Sequence, residues 1–146
     1  MALLSVRDLS VVFDTRDGAV RAVNDVSFSL EAGRVLALLG ESGSGKSVTL
    51  RAILGLHHGP HARVGGEVLV KGRDVNRLGE RAREALRGEV VSLVFQEPMT
   101  ALDPVYTIGA QIAETLARRG LDRTAGRARA RALLDLVQVP SPERCL

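Results

Sequence analysis

From Leu3 to Phe13, and again from Val20 to Leu30, apolar and polar residues alternate, the period-two pattern of strands with one buried and one wet face. Asp17-Gly18 between them is turn chemistry, so the pair is predicted to be antiparallel and to form a small β layer. After a second turn at Glu31-Ala32-Gly33, the run Val35-Leu36-Ala37-Leu38-Leu39 is apolar without alternation, which predicts a strand covered on both faces as in a parallel sheet. From Lys46 to Leu54 the apolar positions Val48, Leu50, Ile53 and Leu54 follow helical spacing, and Gly55 supplies a stop. The Gly- and Pro-containing stretch from His57 to Gly66 reads as loop, followed by a hairpin built on residues 67–70 and the turn Lys71-Gly72-Arg73-Asp74. A short polar helix over Glu80 to Arg87 then leads to a second continuous apolar strand, Val90 to Phe95. Beyond it Pro98 and Pro104 bracket a non-repetitive loop, and Ile108 to Ala117 and Thr124 to Val137 are predicted as two helices separated by Gly120. Continuous apolar strands, as in a parallel sheet, together with helices suit an α/β layer structure.

Composition narrows the class. A chain of 146 residues is one domain at most, and with aromatics at 3% and no Trp its core must be built from Leu, Val, Ile and Ala. The net charge of +3 rests on arginine, because Lys46 and Lys71 are the only lysines. Those arginines are interleaved with Asp and Glu and lack an aromatic platform, which argues against nucleic acid and for a solvated surface, near anionic lipid at most. Arg123, Arg127, Arg129 and Arg131 read as the wet side of a helix whose apolar face is Leu133, Leu134, Leu136 and Val137. His57, His58 and His61 lack nearby Cys or carboxylate partners and read as a solvated turn, not a metal site. A lone cysteine, Cys145, excludes an internal disulfide and fits a reducing compartment. The amino-terminal segment has neither the basic region nor the long apolar run of a signal peptide, and no stretch approaches the roughly 18 apolar residues of a membrane span. A cytosolic chain whose membrane role comes through a partner is the expectation.

The chemistry concentrates in Gly40-Glu41-Ser42-Gly43-Ser44-Gly45-Lys46-Ser47, which fits G-x-x-x-x-G-K-[ST] between a predicted strand and a predicted helix. A triphosphate can be held by backbone N–H groups pointing inward, with the positive end of a helix dipole behind them. Gly40, Gly43 and Gly45 permit the backbone to close around phosphate as an anion nest. Lys46 adds a point charge that can bridge β and γ oxygens, and Ser47 offers a hydroxyl to Mg²⁺, a hard ion that takes few protein ligands. Val48 completes the expected binding segment. An unrelated phosphate-loop GTPase would carry Asn-Lys-x-Asp and Asp-x-x-Gly, neither of which occurs, and nothing argues for a kinase acceptor site.

The loop, followed by Val94-Phe95-Gln96-Glu97-Pro98-Met99-Thr100-Ala101-Leu102-Asp103-Pro104 and by Tyr106-Thr107-Ile108-Gly109, resembles the ATP-binding subunits of ATP-binding-cassette (ABC) transporters, in the dipeptide, oligopeptide and nickel importer branch. Ala101 and Asp103 stand where that branch more often has Ser and Asn. The resemblance implies a P-loop NTPase (RecA-like) core with an amino-terminal antiparallel β subdomain and the start of an inserted helical subdomain: residues 1–33 as β layer, 34–97 as core, 98–146 as glutamine loop and partial helical subdomain. It implies ATP and Mg²⁺ as ligands, Lys46 and Gln96 as the catalytic contacts, Ser47 and Gln96 on the metal, and an adenine stacked on an aromatic of the first hairpin, for which Phe13 is the candidate. The implied partners are transmembrane permease subunits at the cytoplasmic face, a second nucleotide-binding subunit and, indirectly, an extracytoplasmic solute-binding protein.

Other family parts are not found in these 146 residues: the Leu-Ser-Gly-Gly-Gln-like signature, the apolar strand ending in Asp-Glu, and the switch histidine, since all three His precede Gln96. Phosphoryl transfer depends on positioning and charge stabilisation, so a site without its water-orienting carboxylate should lose orders of magnitude in rate. A nucleotide-binding chain without turnover is therefore the alternative expectation. The two continuous apolar strands also want neighbours, and bare edges predict a poorly stable or aggregating polypeptide.

Overall fold

The computed structural model describes residues 2–57, 59–94 and 101–146, in two compact units divided between Ser92 and Leu93. The first unit holds an antiparallel sheet in the order β2-β1-β3-β4, with β1 Ala2–Thr15, β2 Gly18–Glu31, β3 Ala62–Val70 and β4 Arg73–Asp74. Arg16-Asp17 makes the two-residue turn between β1 and β2, closed by Thr15 Oγ1 donating to Gly18 O at 2.7 Å. A second two-residue turn joins β3 to β4, with Lys71 and Gly72 both at positive φ (48° and 76°), as a type I′ connection requires.

Inward residues of the sheet are not a simple alternation. Val6, Leu9 and Val11 are buried, so the phase slips between positions 6 and 9. Asp8 causes the slip: at φ 50° it forms a bulge in which Asp8 and Leu9 face Gly66 alone on β3. Ser27 holds the bulge, its Oγ accepting from Asp8 N (2.8 Å) and donating to Asp8 Oδ1 (3.1 Å). A Cβ on Gly66 would lie 2.4 Å from Asp8 O, so the bulge requires glycine opposite it. Without the slip, Asp8 and Ser10 would point into the core.

Helix α1 (Lys46–Ile53) lays Ala52 and Ile53 on Val6, Leu9, Val11, Val68 and Val70, and Val75 and Leu86 complete the cluster. Burying each of the larger aliphatic side chains contributes about 1.5–3 kcal/mol. Val75 belongs to a 3₁₀ turn, Val75–Arg77, capped by Asp74, and Leu86 to α2 (Glu80–Glu89). Arg87 of α2 ties the two helices, donating from Nη1 to Leu54 O at 3.2 Å while its Nη2 pairs with Glu80 at 2.6 Å.

Two predicted strands do not form among the described residues. Val35 to Leu39 forms no ladder, and Val35 and Leu39 are 98% and 92% exposed. Likewise α2 continues to Glu89, residues 91–94 form no ladder, and Val94 is 91% exposed; Phe95 lies outside the described residues. The reason is the same in both places. A doubly covered parallel strand exists only between neighbours that take its N–H and C=O groups, and none of the four strands of this sheet pairs with either segment.

The second unit pairs α3 (Ile108–Ala117) with α4 (Arg123–Leu136), capped by Thr107 and Asp122, whose side chains accept from Ala110 N and Ala125 N. Gly120, at φ 86°, turns the chain between them. The buried stripe of α4 is Gly126, Ala130 and Leu134, at i, i+4 spacing. Leu136 and Val137 are exposed, contrary to the apolar face expected of them: Leu136 is rotated about 200° around the helix from Leu134, and Val137 is the C-cap, where the helix has ended. Arg123, Arg127, Arg129 and Arg131 lie on the exposed side. A final 3₁₀ turn, Pro142–Cys145, brings Leu146 against Gly109, where a Cβ would meet the Leu146 backbone at 2.7 Å.

Candidate functional site

The loop from Gly40 to Gly45 ends in α1, and glycine makes the junction possible. Gly45 is the N-cap at φ 87°, and a Cβ there would lie 2.4 Å from Ala22 O on β2. The missing side chain thus does two things: it permits the left-handed turn into the helix and lets the helix start against the sheet. The first helical bond runs from Thr49 N to Gly45 O (2.8 Å), so the amides of Lys46, Ser47 and Val48 have no acceptor within the helix. No side chain caps them and no acidic residue sits in the first turn, so the positive end of the helix is not neutralised locally.

Lys46 turns its ammonium back over the loop. Nζ donates to Gly40 O (2.7 Å), Glu41 O (2.6 Å) and Ser44 Oγ (3.2 Å), one acceptor for each of its three donors. Ser44 N in turn donates to Glu41 O at 3.2 Å. A Cβ on Gly40 would lie 2.6 Å from Ser44 Oγ, so the closed loop also needs glycine at its first position. The result is an exposed arch of backbone with one cation at its centre. Ser47, the next residue, is exposed at the start of α1, and Val48 is half-buried. Gln96 lies outside the described residues.

Phe13 sits near the end of β1, paired with Val20 and Ala62, and half-buried against the core. It also meets His57, ring centroids 5.2 Å apart and planes at 79°. His57 is consequently not the solvated turn residue that the sequence suggested. Its Nε2 lies 3.1 Å from Val48 O, and burial lowers its pKa, opposed by the Val48 hydrogen bond and assisted by the Arg51 charge. His61 contributes only its carbonyl among the contacts described, accepting from Asp14 N at 2.9 Å, and His58 lies outside the described residues.

In the second unit, Gln111 escaped the sequence reading. Its side chain accepts from Asp103 N (2.9 Å) and donates to Asp103 O (2.9 Å) and Tyr106 O (3.1 Å), bracing the loop that follows residue 100. Asp103 Oδ1 accepts from Val105 N at 2.9 Å. Because an Asn oxygen could accept in the same way, Asp at this position leaves the turn chemistry unchanged.

A phosphate-loop architecture joined to an antiparallel sheet and a helical unit defines the class, and comparison with known proteins fixes the family. The ABC transporter family profile matches residues 23–143. The chain is 43% identical over 143 residues to the dipeptide transport ATP-binding protein DppD of Lactococcus lactis, covering 97% of this chain and 41% of that protein. It is 42% identical to the oligopeptide transport ATP-binding protein OppD of Bacillus subtilis, with 97% and 40% covered. A putative peptide import ATP-binding protein of Brucella melitensis is 46% identical, with 97% and 43% covered. The chain thus spans about two-fifths of the length of these curated relatives. In three dimensions it resembles a dimeric bacterial ABC transporter cassette, MJ0796, with a TM-score of 0.78 over 94% of this chain and 58% of that one, at 21% identity. The chain belongs to the ABC transporter family.

Proposed function

We propose that this chain is the nucleotide-binding portion of an ABC importer subunit that couples ATP binding and hydrolysis to the uptake of peptides or a related solute. The observation that carries the reading is the Lys46 ammonium held at the centre of a glycine arch, at the N-terminus of a helix with no acidic residue in its first turn. The amides of residues 46–48 and this ammonium suit an anion, and the exposed Ser47 hydroxyl suits Mg²⁺. When bound, Mg²⁺ neutralises charge on the β and γ phosphate oxygens. Lys46 would exchange its contacts with Gly40 O and Glu41 O for phosphate oxygens, while Phe13 stacks the adenine. Gln96 would contact metal and attacking water. The relatives are named as peptide-transport ATP-binding proteins, and a related cassette has been seen as a dimer and, in a post-hydrolysis state, with ADP and Pi. By the same reading, the partners here are permease subunits at the cytoplasmic membrane face, a second nucleotide-binding subunit and, indirectly, an extracytoplasmic solute-binding protein. No described helix is long and apolar enough to cross a membrane; peripheral attachment is part of this reading.

Calorimetry with Mg-ATP tests the proposal: Lys46→Ala should weaken binding at least tenfold, since a charge-assisted contact contributes about 1.5–3 kcal/mol. Unchanged affinity would refute it. A second reading follows from the signature and Asp-Glu strand that these 146 residues do not contain: the chain as it stands binds Mg-ATP without turnover. Binding with no release of phosphate above background would favour it.

A further inference from the structure

Helix α1 closes with a Schellman arrangement. Gly55, at φ 62°, donates to Ala52 O and Leu56 N to Arg51 O, both at 2.9 Å. The chain reverses there, which is how residue 57 returns along the helix to reach the carbonyl of Val48 at 3.1 Å. A carbonyl only accepts, so His57 Nε2 is the protonated nitrogen. The same imidazole makes the edge contact with Phe13 at 5.2 Å. One side chain therefore spans the helix that begins with Lys46 and the strand that carries the candidate base platform. Nothing in the phosphate loop itself touches Phe13 among the contacts described, so besides the shared core under α1 and β1, His57 is a side-chain link between the two ends of the site.

We propose that His57 is a positioning residue for the nucleotide, fixing the Phe13 ring relative to α1 so that base and triphosphate are held at a set separation. This rests on Phe13 being the adenine platform. A stacked base is held only as well as its platform, and an aromatic ring free to rotate about its side-chain torsions must be immobilised when the base arrives. His57 holds that ring beforehand. Burial keeps the imidazole neutral near pH 7, which suits an edge contact within a half-buried cluster. The phosphate end of the site does not depend on the contact, because Lys46 and Gly45 are set by their own bonds to the loop and by the approach to Ala22.

The test measures affinities for Mg-ATP and for magnesium inorganic triphosphate on the chain, on His57→Ala, on Phe13→Ala and on the double variant. His57→Ala should weaken ATP about two- to tenfold, the span an aromatic edge pair contributes, and leave triphosphate within about twofold. In the Phe13→Ala background it should add nothing. Triphosphate affinity doubles as the folding control: parallel loss of both ligands shows a purely structural role and overturns the assignment. Weakened ATP binding in Phe13→Ala but not in His57→Ala overturns the positioning role alone. Unchanged ATP affinity in Phe13→Ala overturns the platform reading and the inference with it.

Discussion

Replacing Gly45 by Ala while using Gly43→Ala as its control separates two reasons for glycine that coincide in the phosphate loop. Both residues have left-handed backbones, φ 87° and φ 82°. A Cβ in that region costs about 1–2 kcal/mol, and both variants pay it. Only Gly45 is also crowded. Its Cβ would stand 2.4 Å from Ala22 O and 3.4 Å from Val23 Cγ2, whereas nothing lies within 4 Å of a Cβ on Gly43. The obstructing atom is a backbone carbonyl on the edge strand β2, next to Val23, which is buried and paired with Val11. Relieving the clash means moving backbone: either β2 gives at the buried Val23 or α1 shifts by roughly 1 Å and disturbs Ala52 and Ile53, an overpacking cost of about 1–3 kcal/mol. Gly43→Ala should then cost about 1–2 kcal/mol and Gly45→Ala about 2–5 kcal/mol. The assay is thermal unfolding followed at the far-UV β band, since all described strands belong to the first unit. With about 4–8 °C per kcal/mol for a domain of this size, the variants should separate clearly. Equal shifts would show that the helix does not start against β2 and refute the close approach.

Two further outcomes concern the same unit. His57 is depressed below its ordinary value of 6.5, so the unfolded chain takes up this proton first. Stability should be complete above pH 6.5, decline as pH falls toward the folded-state pKa and then level, and His57→Gln should remove that decline in urea midpoints compared at pH 7.5 and 5.5. Val35→Thr and Leu39→Thr, at almost fully exposed positions, should change stability by less than about 0.5 kcal/mol and delay aggregation seen by light scattering; a loss above about 1.5 kcal/mol would place the segment inside a sheet.

What could be read from the sequence was what neighbouring residues decide among themselves. Helix α1, the β3–β4 hairpin and the pair α3–α4 follow from spacing, caps and turn residues a few positions apart. The Asp8 bulge did not, because its cause is Ser27 and Gly66 on two other strands. Nor did the state of Val35 to Leu39: an apolar run specifies what environment a segment prefers but not whether strands are present to provide it. In the site, the octapeptide declared its chemistry through Gly40, Gly45 and Lys46. The part played by His57 was hidden, since only the reversal at Gly55 brings residue 57 back to Val48 and Phe13. Gln111 was hidden for a similar reason, its three bonds closing a loop that starts eight residues earlier.

The phosphate loop and the unpaired run before it are physically one system. Its helical side is anchored: Gly45 abuts Ala22, and Ala52 and Ile53 are buried in the core. Its other side has no ladder, and Gly40 and Glu41 are tied to the loop by the Lys46 ammonium and by Ser44 N. The cation that should meet phosphate is thus also what closes the loop in its absence. Phosphate binding would have to release those carbonyls, giving up two charge-assisted bonds and the order they impose. Strands pairing with residues 35–39 would pin Gly40 independently and leave the ammonium free to be exchanged, so the grip on phosphate should strengthen as the sheet edge is filled.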